Sequence, residues 1–249
     1  MKRTVLDAHV HLLMWKQQAE PDWNSVSQTL KVANFNELDA ICITEHIEAD
    51  AYEKLMLGLF CSNRLGGSTQ GDGSVICNGV LVLPGAELHL ANNMNIGVHA
   101  DLETLLSLDR RASAYTLDTL HGLLEKRGRP FKLVAHHIFW PGKTCSDLEA
   151  LKRCINAIEV PAKDLTNIHK YLTLASTLNL DTTGGSDSHS FISIGACKTL
   201  INEDNTHSPL TLKKWLHSHH TTHEPDRDSL RLTALARIHR QTDTERREP

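Results

Sequence analysis

Short apolar runs at residues 5–6, 40–43, 80–83, 96–98, 133–135, 155–160, 180–183 and 196–201 alternate with helix-patterned stretches at 25–38, 51–65, 114–127, 146–154, 164–178 and 209–218. Strands that alternate with helices give βα units and a mainly parallel sheet. Seven or eight such units in about 220 residues suit a small closed α/β barrel better than a doubly wound sheet. A dinucleotide-binding fold needs a glycine fingerprint after its first strand, whereas this strand runs into Asp7-Ala8-His9-Val10-His11. The glycine-rich segment 66–73 precedes a strand and does not link one to a helix, so it reads as a mobile loop and not a phosphate cradle. The barrel is expected over residues 1–220, followed by a charged tail at 221–249 that is helical or partly disordered.

Active-site groups of a parallel barrel sit at the C-terminal ends of its strands. Reading each run to its end yields Asp7, His9 and His11; Thr44-Glu45-His46; Pro84-Gly85-Ala86-Glu87; His99 and Asp101; His136-His137; and Gly184-Gly185-Ser186-Asp187-Ser188-His189. His9 and His11 share a face by strand alternation, with Asp7 beside them. One buried histidine is usually a hydrogen-bonded core residue. A whole set at strand ends, with carboxylates among them, suits borderline divalent metals such as Mn, Zn or Fe.

Sixteen histidines stand out in a chain of 249 residues, although those at 217–223 carry no pattern and read as surface. The formal charge of −4 argues against an extended nucleic-acid surface. The six cysteines form no C-x-x-C pair, the N-terminus has no signal-peptide pattern, and no apolar run approaches a membrane span. A cytoplasmic protein with no membrane partner is expected.

Asp7-x-His9-x-His11, Thr44-Glu45-His46, Pro84-Gly85-Ala86-Glu87, His99, Ala135-His136, Gly185-Ser186-Asp187-Ser188-His189 and Ser193-Ile194-Gly195 together resemble the motif order of the PHP (polymerase and histidinol phosphatase) family. The resemblance spans residues 6–201. It implies a distorted (β/α)7 TIM-like barrel holding two or three divalent metals, and a metal-dependent phosphoesterase that hydrolyses a small phosphate ester through a metal-bridging hydroxide. Carried over by position, it implies a first metal on His9, His11, Glu87 and Asp187. Glu87 is then shared with a second on His99 and His136, and His46 and His189 hold a third. Asp7 is implied as the group that orients a ligand histidine. Asp187, His46 and His189 are the implied catalytic groups, with either histidine a general acid if the third metal is missing.

Two positions depart from that pattern. Lys16 stands where the family places a ligand of the third metal, leaving Glu20 or Asp22 to swing in, and His137 replaces a usual proline. His137 reads equally as a substrate contact or a variant strand end. Lys143 is the first candidate to bind phosphate, with Arg64 and Lys16 as alternatives, and Trp15, Phe139 and Trp140 lie near the expected mouth. Two rival readings are an amidohydrolase-like hydrolase of a C–N or lactone bond and a non-catalytic metal-binding module. The first needs a modified lysine at a middle strand end, yet Lys132 sits at a strand start.

Overall fold

A computed structural model describes residues 3–143, 147–202 and 209–245. The N-terminal half comprises β1 (Arg3–Val10), α1 (Trp23–Phe35), β2 (Ala40–Ile43), α2 (Tyr52–Phe60), β3 (Ser68–Thr69), β4 (Val75–Cys77), β5 (Val80–Leu83), β6 (Gly85–His89), β7 (Asn95–Ala100) and α3 (Leu102–Leu106). It is followed by α4 (Leu117–Arg127), β8 (Phe131–His136), α5 (Leu148–Cys154), β9 (Ala157–Pro161), a 3₁₀ turn (Ala162–Asn167), α6 (Ile168–Leu178) and β10 (Asp181–Gly185). The chain then forms β11 (Cys197–Asn202), α7 (Leu212–Leu216), β12 (Thr221–Pro225) and α8 (Ser229–Glu245).

These strands form two sheets and not the expected closed barrel. The larger has the order β12-β11-β1-β2-β5-β4-β3 and the smaller β10-β9-β8-β7-β6. The physical cause lies between residues 80 and 100. Pro84 has no N–H to give a ladder, and the chain leaves one sheet there to enter the other. Only residues 90–94 then separate β6 from β7, far fewer than a parallel crossover requires, so the pair is an antiparallel hairpin. β7 is antiparallel to β8 as well. The sheets meet through the isolated bridges Val10–Ser188 and His46–Glu87, which bring the ends of β1, β2, β6 and β10 to one rim.

The apolar sequence pattern packs this frame from both sides. Asp22 caps α1 by accepting from the N–H groups of Asn24 and Ser25, and the helix buries Val26, Leu30 and Ala33. Leu6, Cys42, Leu83 and Trp215 of α7 form a second core, each burial worth about 1.5–3 kcal/mol. The glycine-rich segment contributes β3, which pairs with β4 at the sheet's far edge. The boundary expected at residue 220 falls immediately before β12, which pairs with β11, so the sheet extends past it. Among the described residues no helix is long and apolar enough to cross a membrane.

Candidate metal centre

Glu87 of β6 is the hub of the rim. Its Oε1 lies 3.0 Å from His136 Nδ1 and 3.1 Å from His137 Nε2, and its Oε2 lies 2.9 Å from His46 Nδ1. His9 Nε2 is 3.6 Å from Oε1, and His11 Nε2 is 3.8 Å from Oε2. Asp187 follows β10, with its Oδ1 3.3 Å from His11 Nε2 and 3.6 Å from His189 Nδ1. All these residues are buried except His46 and His189, which are partly exposed.

Further hydrogen bonds fix how the imidazoles face. His9 Nδ1 is 2.6 Å from Glu159 Oε1, His11 Nδ1 is 3.2 Å from Glu45 Oε1, and His189 Nδ1 is 3.2 Å from the Asp187 carbonyl. Ionised carboxylates and carbonyls only accept, so each Nδ1 donates, and each Nε2 is the atom a neutral imidazole would offer to a metal. The Nε2 atoms of His9 and His11 nevertheless stand 3.0 Å apart. Two lone pairs at that distance repel, so a proton on one nitrogen or a metal ion beside both must separate them. Glu159 and Glu45 are themselves held: Glu159 accepts from the His137 N–H, and Glu45 from those of Leu12 and Leu13.

Burial should neutralise these acids, yet the imidazoles outweigh it. Although burial raises Glu87, His9, His136, His137 and His46 hold it well below the usual carboxylate range. Glu159 is drawn down to about 2 despite burial, chiefly by His9 and His136. Lys163, 2.9 Å away, and His11 do the same for Asp187. Burial opposes charge on His11, but Glu45 and Asp187 lift it to about 10. Buried anions need compensating charge. Four overlapping groups place three ligand atoms within 4.8 Å of one another: His9-His11-Asp187, His9-Glu87-His137, His9-His136-Glu159 and His11-His46-His189. Mixed imidazole and carboxylate donors of this kind fit divalent transition metals.

Two glycines admit this density. A Cβ on Gly97 of β7 would lie 2.6 Å from His136 Cε1 and closer still to Nε2. A Cβ on Gly185 would lie 2.6 Å from His9 Cβ and closer still to Glu159. Asp187 and His137 are non-glycine residues at φ 49° and 30°. Such backbone costs of order 1–3 kcal/mol each and persists where the surroundings enforce it. Beside the cluster lies a cavity of about 740 Å³ lined by Trp15, Trp140, Lys163, Asp187, His189 and part of α8.

Comparison with known proteins agrees with this arrangement. The chain is 56% identical to PsfC from Pseudomonas syringae PB-5123, whose crystal structure superposes with a TM-score of 0.94 over 97% of this chain and 99% of that one. A family model described as PHP-associated matches residues 169–214. The chain belongs to one family with PsfC and carries a PHP-associated segment. Its fold is also that of Endonuclease Q. The lesion-specific enzyme from Pyrococcus furiosus is 14% identical with a TM-score of 0.60, covering 88% of this chain and 57% of that one. An Endonuclease Q complex with a 27-mer duplex substrate, an abasic lesion at its active site, is 14% identical with a TM-score of 0.59, covering 86% and 56%. The chain therefore spans little more than half the length of Endonuclease Q. A search of curated proteins finds no match. One sequence expectation is overturned: Endonuclease Q, which shares this fold, takes a 27-mer duplex at its active site, so the expected lack of an extended nucleic-acid surface does not stand.

Most of the expected PHP residues converge, and the departures have physical reasons. His9, His11, His46, Glu87, His136, Asp187 and His189 meet at the rim. His99 does not. Because β7 runs antiparallel to β6 and β8, its C-terminal end lies at the opposite end of the sheet, with His99 beside Gly85 and Lys132. There its ring meets Trp215 edge-on, and burial keeps it neutral. Asp7 does not orient an imidazole. The β1–β2 register slips between Asp7 and Val10, and the carboxylate accepts from the N–H groups of His9, Ser186 and Gly195. Lys16 pairs with Glu48 at 2.6 Å, Glu20 pairs with Lys54, and Asp22 caps α1, so none reaches the centre.

The substrate-binding expectations also divide. His137 joins the cluster and stacks on Trp140, ring centroids 4.2 Å apart. Lys143 donates to Asn95 at 2.7 Å near the rim. Arg64 is exposed beyond α2 and lies outside the cavity lining. Phe139 packs on Tyr171. Lys132 donates to Ser218, far from any bridging position. Glu159 and Lys163 are not among the expected residues, because Glu159 lies inside the apolar run 155–160 and Lys163 beyond it; a carboxylate between Ile158 and Val160 is the one signal the sequence offers. Nor did the charge-rich tail announce that α8 lines the cavity.

Proposed function

We propose that this chain is a PHP-type metal-dependent phosphoesterase acting on a phosphate ester that enters the cavity beside Asp187. The observation that carries the reading is the pair of buried Nε2 atoms 3.0 Å apart, each on an imidazole whose Nδ1 is committed to a carboxylate. His9, His11 and Asp187 would hold one divalent ion. Glu87, His136 and His137 would hold a second, and His46 and His189, with His11, a third. Such ions, when bound, supply Lewis-acid charge to phosphoryl oxygens and lower the pKa of water towards neutrality.

The chain's own groups set the remaining conditions. Glu159 and Glu45 accept from Nδ1 of His9 and His11 and so fix the orientation of both rings. Lys163 stands against Asp187 at the cavity wall, where its ammonium meets the anionic ester. Lys143 provides a second cation near the rim. His189 is held largely neutral by burial, which favours a ligand role over that of general acid.

The test uses full-length protein stripped with a chelator and reloaded with Mn²⁺ or Zn²⁺. Bound metal is counted, and p-nitrophenyl phosphate and bis(p-nitrophenyl) phosphate separate monoester from diester activity. Metal-dependent release of nitrophenol is expected and should vanish in Asp187→Asn. A fully loaded protein that cleaves neither ester, nor any of a panel of phosphorylated metabolites, overturns the reading.

A further inference from the structure

We propose that Asp7 is a positioning residue of this site: through backbone N–H groups its carboxylate ties together the two ends of the loop 186–195, and so sets where Asp187 and His189 stand. This rests on the metal-centre reading and adds to it a residue that acts through those ligands. Asp7 lies on β1 with no exposed surface. Its Oδ1 accepts from the N–H of Ser186 at 3.0 Å and from that of His9 at 3.2 Å. Its Oδ2 accepts from the N–H of Gly195 at 2.8 Å. Ser186 opens the connection from β10 to β11, and Gly195 comes just before β11 begins at Cys197. One buried side chain therefore holds both ends of that connection.

The loop between those ends needs such a hold. Asp187 has a left-handed backbone, which is costly for a residue with a Cβ and persists only where its surroundings enforce it. The first half of the loop is laced to β1. The Asp187 N–H donates to the His9 carbonyl at 2.9 Å, and the His11 N–H donates to the Ser188 carbonyl at 2.8 Å. At the far end Asn36 donates to the Ile194 carbonyl at 2.8 Å, and Asp7 supplies the tie from β1 to Gly195. The clamp thus refers the whole loop to the strand that leads through His9 to His11. Across that junction Asp187 Oδ1 stands 3.3 Å from His11 Nε2, and the His189 ring stacks on that of His11 with centroids 4.2 Å apart. A carboxylate offers acceptors on both sides, whereas an amide of the same shape turns an NH₂ towards one of the N–H donors. Glu87, His136 and His137 come from β6 and the end of β8, outside the loop, so their positions do not pass through the clamp.

The experiment titrates Co²⁺ into chelator-stripped, full-length wild type and D7N, following visible absorption, with bound ions counted after dialysis. D7N should weaken the ions held through Asp187 and His189 by about 10–100-fold, the range for losing a partner behind a metal ligand. The ion on Glu87, His136 and His137 should keep its wild-type affinity, and adding H136A to D7N should remove it. Urea unfolding checks that D7N is native under the titration conditions. If it is not, D7S takes its place, because serine keeps one acceptor in a smaller volume and cannot reach both ends of the loop. Unchanged affinity at every site, or an equal loss at all of them, overturns the proposal, since a merely structural role acts on the sites alike. A wild type that binds no ion overturns the metal-centre reading and the clamp with it, whereas a loaded wild type matched by D7N overturns the clamp alone.

Discussion

Gly97→Ala tests whether the position of His136 matters to function. The new methyl carbon would sit 2.6 Å from His136 Cε1 and nearer still to Nε2. Unstrained carbon contacts are about 3.5–4.0 Å, so the ring tip must withdraw by about 1 Å. It has little room to do so, because its face is stacked on His9 with centroids 3.8 Å apart. Movement therefore disturbs the 3.0 Å contact with Glu87, the placement of His9, or both. A misplacement of about 1 Å in a reacting constellation costs roughly 10²-fold in rate, or about 2.7 kcal/mol in barrier. Overpacking should cost about 1–3 kcal/mol of stability, leaving the chain folded. The assay pairs kcat/KM on p-nitrophenyl phosphate with urea unfolding and a metal count. Gly122→Ala is the control, since nothing lies within 4 Å of its added methyl. As a mid-helix change it should stabilise by about 0.5–1 kcal/mol and leave activity alone. If G97A folds, loads metal and turns over like wild type, the tight approach of His136 has no functional role.

Four other outcomes are expected. Glu159→Gln should weaken metal retention about 10–100-fold, read by metal analysis after dialysis; unchanged retention would mean that Glu159 neither orients His9 nor binds metal. His99→Phe should leave metal content intact whereas His136→Ala should lower it, and equal loss in both would restore His99 as a ligand. Lys132 supplies a pH test: burial lowers it from 10.5 to about 8, so between those values the unfolded chain binds more protons and stability rises with pH. The stability of wild type relative to K132M should therefore improve by about 3 kcal/mol across that window, as measured by urea unfolding, and a flat difference would refute the buried cation. Finally, chelation should lower the Tm, as expected when ligands bind only the native state, and an unmoved Tm would argue against a metal-bridged rim.

The sequence made the rim legible where strands end in the same direction and hid it where they do not. His9, His11, Glu87, His136 and Asp187 could be placed because each lies at or near a strand terminus that reaches one rim. His99 obeyed the same textual rule and lies elsewhere, since strand direction depends on a loop only five residues long. Residues 90–94 are too few for a parallel crossover, which reverses β7 and takes His99 away from the rim. Glu159 was hidden differently. It sits one residue before Val160 inside an apolar run, where alternation makes it the single inward polar group. That position is what lets it reach His9 from behind, and Gly185 on the adjacent strand is what leaves it room. The two facts belong to one constraint: a carboxylate within a buried strand is tolerated only where a neighbour supplies space and an imidazole supplies charge. A Gly185→Ala substitution should therefore act on Glu159 and His9 together, and its effect on metal retention should be non-additive with Glu159→Gln. Additive losses would show that the two positions act separately.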